Sequence, residues 1–191
     1  ATDLVLPGPG RDRVLIEALD DADGAARWNA AVALWRSASG AAARALLDRF
    51  DVAAARDRGL LALALGGALS RSRDPDLVAR AAALARQARG GERDALLEAL
   101  GRAPGPKAGA LVAGFGRADA SVQDRAKVAE ALGTHADALG ALRRLLVDPD
   151  GAVRANAVWS LGSTGDGSDV PRLRAARSEE RRVGKECVQP C

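Results

Sequence analysis

Apolar residues recur three and four positions apart along most of the chain, and short runs of Gly, Pro, Asp and Ser interrupt them. That spacing lines one stripe of a helix. Ala and Leu supply most of these positions, and both are strong helix formers. The pattern predicts eleven helices. A lone helix covers residues 10–20. Five pairs follow: 23–37 with 41–50, 52–69 with 75–89, 92–102 with 106–116, 121–133 with 136–147, and 150–162 with 169–176. Turn residues punctuate them at Ser39-Gly40, Gly90-Gly91, Pro104-Gly105-Pro106 and Gly133-Thr134.

The pairs are copies of one another. Residues 21–34 and 148–161 share D-x-D-G-A-x-R-x-N-A-x-x-x-L at one constant offset. Looser copies run from an arginine to Leu-Gly with the same spacing, at 125–133, 58–66 and 93–101. The anchors are Arg27, Arg58, Arg93, Arg125 and Arg154, separated by 31, 35, 32 and 29 residues. Periods in this range mark solenoids, whose repeats bury their apolar stripes only by stacking on neighbours. In the last copy Asp148 is expected at the N-cap, Pro149 at the first helical position, and Asp150 near the positive helix end. Asp148 and Asp150 are also the expected partners of the anchor arginines. The register stays open in the middle. Asp74-Pro75-Asp76 and Arg80 match Asp148-Pro149-Asp150 and Arg154, as if 75–89 were a first helix, whereas the pairing above makes it a second.

Composition narrows the chemistry. Of 191 residues 3% are aromatic, with no Tyr and no Met, which argues against a β-sandwich. His135 is the only histidine, so multi-histidine metal sites and Ser-His-Asp catalysis lack their parts. It is expected in an exposed turn. The three tryptophans, Trp28, Trp35 and Trp159, are expected to fill gaps between Ala-rich helices. No apolar run reaches the roughly 18 residues of a membrane span. Lys+Arg 28 against Asp+Glu 25 leaves +3, with the two signs interspersed. Domain organisation follows the repeat: residues 1–9 as an N-terminal extension, 10–176 as the repeat array, and 177–191 as a non-native or disordered tail. Composition breaks at 177, and both cysteines, Cys187 and Cys191, lie beyond it. Residues 177–187 resemble a translated sequencing-adapter oligonucleotide, as in a truncated metagenomic reading frame.

The stretch D-P-D-x-x-V-R-x-x-A-x-x-x-L-G at 148–162 resembles the short bacterial HEAT repeat, of the kind also found in phycobilin lyases. The resemblance is strong at 148–162 and 21–34 and weaker between them. It implies an all-α, right-handed α-solenoid of about five HEAT-like helix pairs, with second helices lining a concave face. It implies scaffolding or partner binding in most members. A minority act on bilins or on DNA bases, using residues outside the repeat signature.

The second helices carry the candidate contact residues Arg44, Arg80, Arg143, Arg144 and Arg172, beside Arg13, Arg49, Arg86 and Lys107. The expected function is a non-catalytic scaffold that binds a protein partner through these helices, needs no cofactor or metal, and is cytoplasmic by default. The alternatives are a bilin-lyase-like or other enzyme accessory subunit, and binding of a nucleic-acid backbone by the concave arginines. Neither end of the array looks capped, so self-association through exposed apolar ends is also expected.

Overall fold

Helices begin where a side-chain oxygen takes up a backbone N–H that the first turn leaves free. In the computed structural model, which describes residues 8–176, Asp23 accepts from Ala25 N–H and opens α2 (Gly24–Ser37). Asp74 accepts from Asp76 N–H and opens α5 (Pro75–Gln87), with Pro75 in the first turn. Ser121 accepts from Asp124 N–H ahead of α8 (Val122–Ala131). Asp150 accepts from the N–H groups of Ala152 and Val153 ahead of α10 (Gly151–Thr164). The other helices are α1 (Gly8–Glu17), α3 (Ala42–Phe50), α4 (Arg58–Leu69), α6 (Gly90–Gly101), α7 (Pro106–Ala113), α9 (Leu139–Leu145) and α11 (residues 170–176). The described residues contain no strand. The chain has the all-α, α-solenoid fold that the periodicity predicts. The expected N-terminal extension falls largely on residues 1–7, and the tail with Cys187 and Cys191 on 177–191; both lie outside the described residues.

The contacts divide the chain into two units, 1–108 and 109–191, with the division inside α7. In the first unit α2, α4 and α6 pack side by side in chain order as one layer. Helices α1, α3 and α5 form the second layer, each on the next, and the pairs α3–α4 and α5–α6 tie the layers together. The open register is thereby decided: α5 stacks on α3, so residues 75–87 are a second helix. In the second unit α8 packs on α10, and α9 on both. The layers close over fully buried side chains, among them Leu34, Leu46, Leu65 and Leu96 in the first unit and Leu132, Leu142, Val153 and Leu161 in the second. Each contributes about 1.5–3 kcal/mol through burial.

The repeat signature follows from how first-layer helices meet. Counting from the anchor arginine, positions +1, +5 and +8 share one face and +2, +6 and +9 another, since i, i+4 and i+7 align on a helix. The glycine at +8 lets the next helix approach. A Cβ on Gly66 would stand 3.3 Å from Ala99 Cα, and one on Gly133 would stand 2.9 Å from Ser160 Oγ. Ala99 and Ser160 are the +6 residues of the following helices. Gly67, at +9, lies closer still: its Cβ would fall 2.4 Å from the carbonyl oxygen of Trp35.

Several local expectations are corrected. Asp148 is not the N-cap of α10. Its carboxylate accepts from Asp150 N–H at 2.9 Å and from Arg125, so the chain turns once more and Asp150 caps. The helix expected from 52 begins at Arg58, after a 3₁₀ turn at Ala55–Asp57. Helix α7 stops at Ala113: the N–H of Gly114 is shared between the carbonyls four and three residues back, and that of Phe115 bonds three residues back. His135 is not exposed: it is 2% accessible, and a Cβ on Gly109 of α7 would stand 3.2 Å from its Nδ1. Trp28 and Trp159 do not fill the core, being 55% and 69% exposed. The Ala-rich helices approach too closely to leave space for an indole. Trp35 alone is half-buried, where it lies beside Gly66 with the guanidinium of Arg102 4.8 Å above its ring. That contact is a cation–π pair.

Candidate functional site

Within each unit the anchor arginines bind backward and forward from the first helices. Each bonds the carbonyl of the loop before its own helix: Arg27 to Asp21 at 2.8 Å, Arg58 to Ala53 at 3.3 Å, Arg93 to Ala88 at 3.0 Å, Arg125 to Ala120 at 2.6 Å, and Arg154 to Asp148 at 2.8 Å. Arg27, Arg58 and Arg125 also reach a carboxylate at the start of the next repeat. Arg27 stands 3.6 Å from Asp57, and Arg58 stands 3.3 Å from Glu92. Arg125 grips Asp148 with two bonds of 2.7 and 3.0 Å, both side chains buried. That fork geometry is the strong form of the pair. The hydrogen bond from Arg125 holds the Asp148 carboxyl below the usual range, against the desolvation that would raise it. Asp150 serves the cap and is not the arginine's hydrogen-bonding partner. These anchors staple the repeats together and do not mark one site.

The second helices of the two units carry the five candidate contact residues, and their surroundings sort them. Arg80 of α5 bonds both Asp48 and Asp51 at the end of α3, and the Asp48 bond leads in raising its pKa. Arg143 of α9 clasps Asp169 through two bonds of 2.7 and 2.9 Å, and Asp169 is fully buried. That hydrogen bonding is the main cause lowering the Asp169 pKa. Arg80 and Arg143 therefore hold second helices to their neighbours. Arg44 makes one contact of 3.3 Å with Asp74 and stays 64% exposed at its side chain. Arg144 bonds the carbonyl of Gly140 in its own helix. Arg172 lies 3.4 Å from Asp169, with half of its side chain in solvent. These three have guanidinium surface left for a partner.

Two of the five candidates converge. Arg143 and Arg172 line a cleft of about 760 Å³ in the second unit, with the anchor Arg154 on its wall. Its apolar part comes from Leu146, Val147, Pro149, Ala175 and Ala176. Arg44, Arg80 and Arg144 are not part of it. The α9–α10 turn supplies Val147, 81% exposed. Asp148 also lines the cleft, with its carboxylate taken up by Arg125, so three cations over an apolar floor suit a ligand that carries both carboxylates and aliphatic groups.

Asp169 is the residue that sequence reading missed. Its signal was the spacing Asp166-x-x-Asp169, a reciprocal cap in which each carboxylate bonds the other residue's turn. Asp12 was missed too; buried in α1, it accepts from Ser39 N–H at 2.8 Å. Among the described residues no group of His, Cys, Asp and Glu is placed to hold a metal ion. Among the same residues no helix is long and apolar enough to cross a membrane.

Residues 110–188 match a family model described as HEAT repeats, a span that falls within the second unit. Among solved structures the chain is similar to the designed armadillo repeat protein YIII(Dq)4CqI, at 15% sequence identity and a TM-score of 0.46, over 79% of this chain and 81% of that one. Comparison with curated proteins gives no match.

Proposed function

We propose that this chain is a non-catalytic HEAT-type scaffold that binds a protein partner along its second-helix layer, with the cleft between α9, α10 and α11 as the principal seat. The observation that carries this reading is the convergence of Arg143, Arg154 and Arg172 on one apolar cleft. An acidic segment with aliphatic side chains meets both halves of that chemistry. Arg125, Gly133 and Asn156 are engaged in stacking, so recognition falls to Arg154, the anchor that lines the cleft, and to Arg143 and Arg172, which are not part of the repeat signature. Arg172 is the main recruiting cation. Arg143 positions the wall through Asp169.

A fluorescent peptide alternating Glu and Leu tests this, with its Lys and Leu counterpart as the control. The acidic peptide is expected to bind, and to slow amide exchange at 143–149 and 170–176. Arg172→Glu should weaken it about tenfold or more. Equal binding of the basic peptide, or binding indifferent to Arg172→Glu, would reject the cleft.

A further inference from the structure

The first helices leave matching halves of one contact unused in two places, one in each unit. Within the second unit, α8 and α10 meet through three equivalent positions. Arg125 forks onto Asp148, six residues before the next anchor. Asn156, at +2, donates to the carbonyl of Ala126, at +1, at 3.0 Å. Gly133, at +8, receives Ser160, at +6.

The forward half of this contact recurs, open, on α10. Arg154 bonds the carbonyls of Asp148 and Pro149 and has no carboxylate within ion-pair distance among the described residues. Ala155 is exposed, Trp159 is 69% exposed, and a Cβ on Gly162 would meet nothing within 4 Å. The rear half recurs, open, on α2. Asp21 is exposed, and its carboxylate accepts only from the backbone of Asp23 among the described residues. Asn29 is exposed, and Ala33 half-exposed.

We propose that α10 of one molecule binds α2 of a second copy, in the geometry that joins α8 to α10. Arg154 of the first forks onto Asp21 of the second. Asn29 donates to the carbonyl of Ala155, and Ala33 seats against Gly162. Trp159, at +5, borders the contact, as the equivalent Glu130 does where α10 packs on α8, and its larger side chain adds apolar area at that rim. The occupant is a second copy because its residues 21–34 repeat the motif of residues 148–161, whose Asp148, Asn156 and Ser160 already fill these roles on α8. The contact is heterologous, so it builds head-to-tail rings or filaments that grow with concentration. It shares Arg154 with the wall of the peptide cleft but otherwise uses different residues, Ala155, Trp159 and Gly162 of α10, and goes beyond that reading.

Sedimentation of the full chain over a wide concentration range tests it, without peptide. The sedimentation coefficient should rise with concentration. Arg154→Asp or Asp21→Arg should each weaken association roughly tenfold or more, since like charges then face one another. Mixing the two variants restores opposite charges and should restore association. Trp159→Glu should weaken it as well; because Trp159 is exposed, this variant keeps the test valid should Arg154→Asp fail to fold, which helical circular dichroism would reveal. A chain that stays monomeric at all concentrations overturns the proposal. So does association that the charge pair does not govern, or that mixing does not rescue.

Discussion

At the scale of single residues, glycine does the most work. Gly67 sits where α4 crosses α2, and a Cβ there would fall 2.4 to 2.6 Å from Trp35 and Leu34 backbone atoms. Backbone cannot swing aside as a side-chain tip can. Gly67→Ala is therefore expected to destabilise by about 1–3 kcal/mol or more, by forcing the helices apart. Gly162 has the same residue type in the opposite setting, with open space around its Cβ position inside α10. Gly162→Ala should stabilise by about 0.5–1 kcal/mol through helix propensity. Thermal unfolding of both variants in dilute solution checks the contrast. Equal effects would mean that the first-helix layer is less tightly packed than its glycines indicate.

At the scale of helices, starts are chemical and stops are geometric. Asp23, Asp74 and Asp150 each cap by accepting from the N–H two residues on, and the residue just inside is Gly24, Pro75 or Gly151. Asp150→Ala should cost about 1 kcal/mol, and Asp150→Asn much less, because an amide oxygen still accepts the bond. Urea denaturation of the two variants separates the cap from the charge. If both lose equally, the carboxylate's charge matters more than its hydrogen bond. The α8–α10 contact shows why the loop before a helix also matters. Asp148 serves three groups: the fork of Arg125, the N–H of Asp150, and through its carbonyl Arg154. One residue thereby fixes the turn and the next rung of the ladder.

At the scale of the whole molecule, +3 net charge conceals a dense set of paired ions, and these set the response to acid. The Asp148 and Asp169 pKa values are lowered chiefly by the hydrogen bonds from Arg125 and Arg143. A carboxyl whose folded pKa is depressed stabilises the fold above its unfolded value, near ~3.9, and loses that contribution as pH falls through the folded value. The melting temperature should thus vary little from neutral pH down to about 5, then fall steeply below about 4. Asp148→Asn should start lower at neutral pH and show a shallower acid arm. An unchanged acid arm in that variant would place the acid sensitivity elsewhere.

What the sequence determined by itself was everything periodic. The spacing of Ala and Leu set the helices, and Arg27, Arg58, Arg93, Arg125 and Arg154 set the repeat, because stacking reuses one contact at each step. The α-solenoid class follows from that alone. Tertiary structure decided what depends on neighbours distant in the chain. It assigned α5 to the second-helix layer by packing it on α3. It buried His135 against α7, and it left Trp28 and Trp159 in solvent because Ala-lined helices close up without them. It also sorted five equivalent-looking arginines. Arg80 and Arg143 are committed to carboxylates on adjoining helices or turns, while Arg44, Arg144 and Arg172 keep guanidinium surface to offer. A sequence specifies that a charge exists; whether it is already spent depends on what the fold sets within a few ångströms of it.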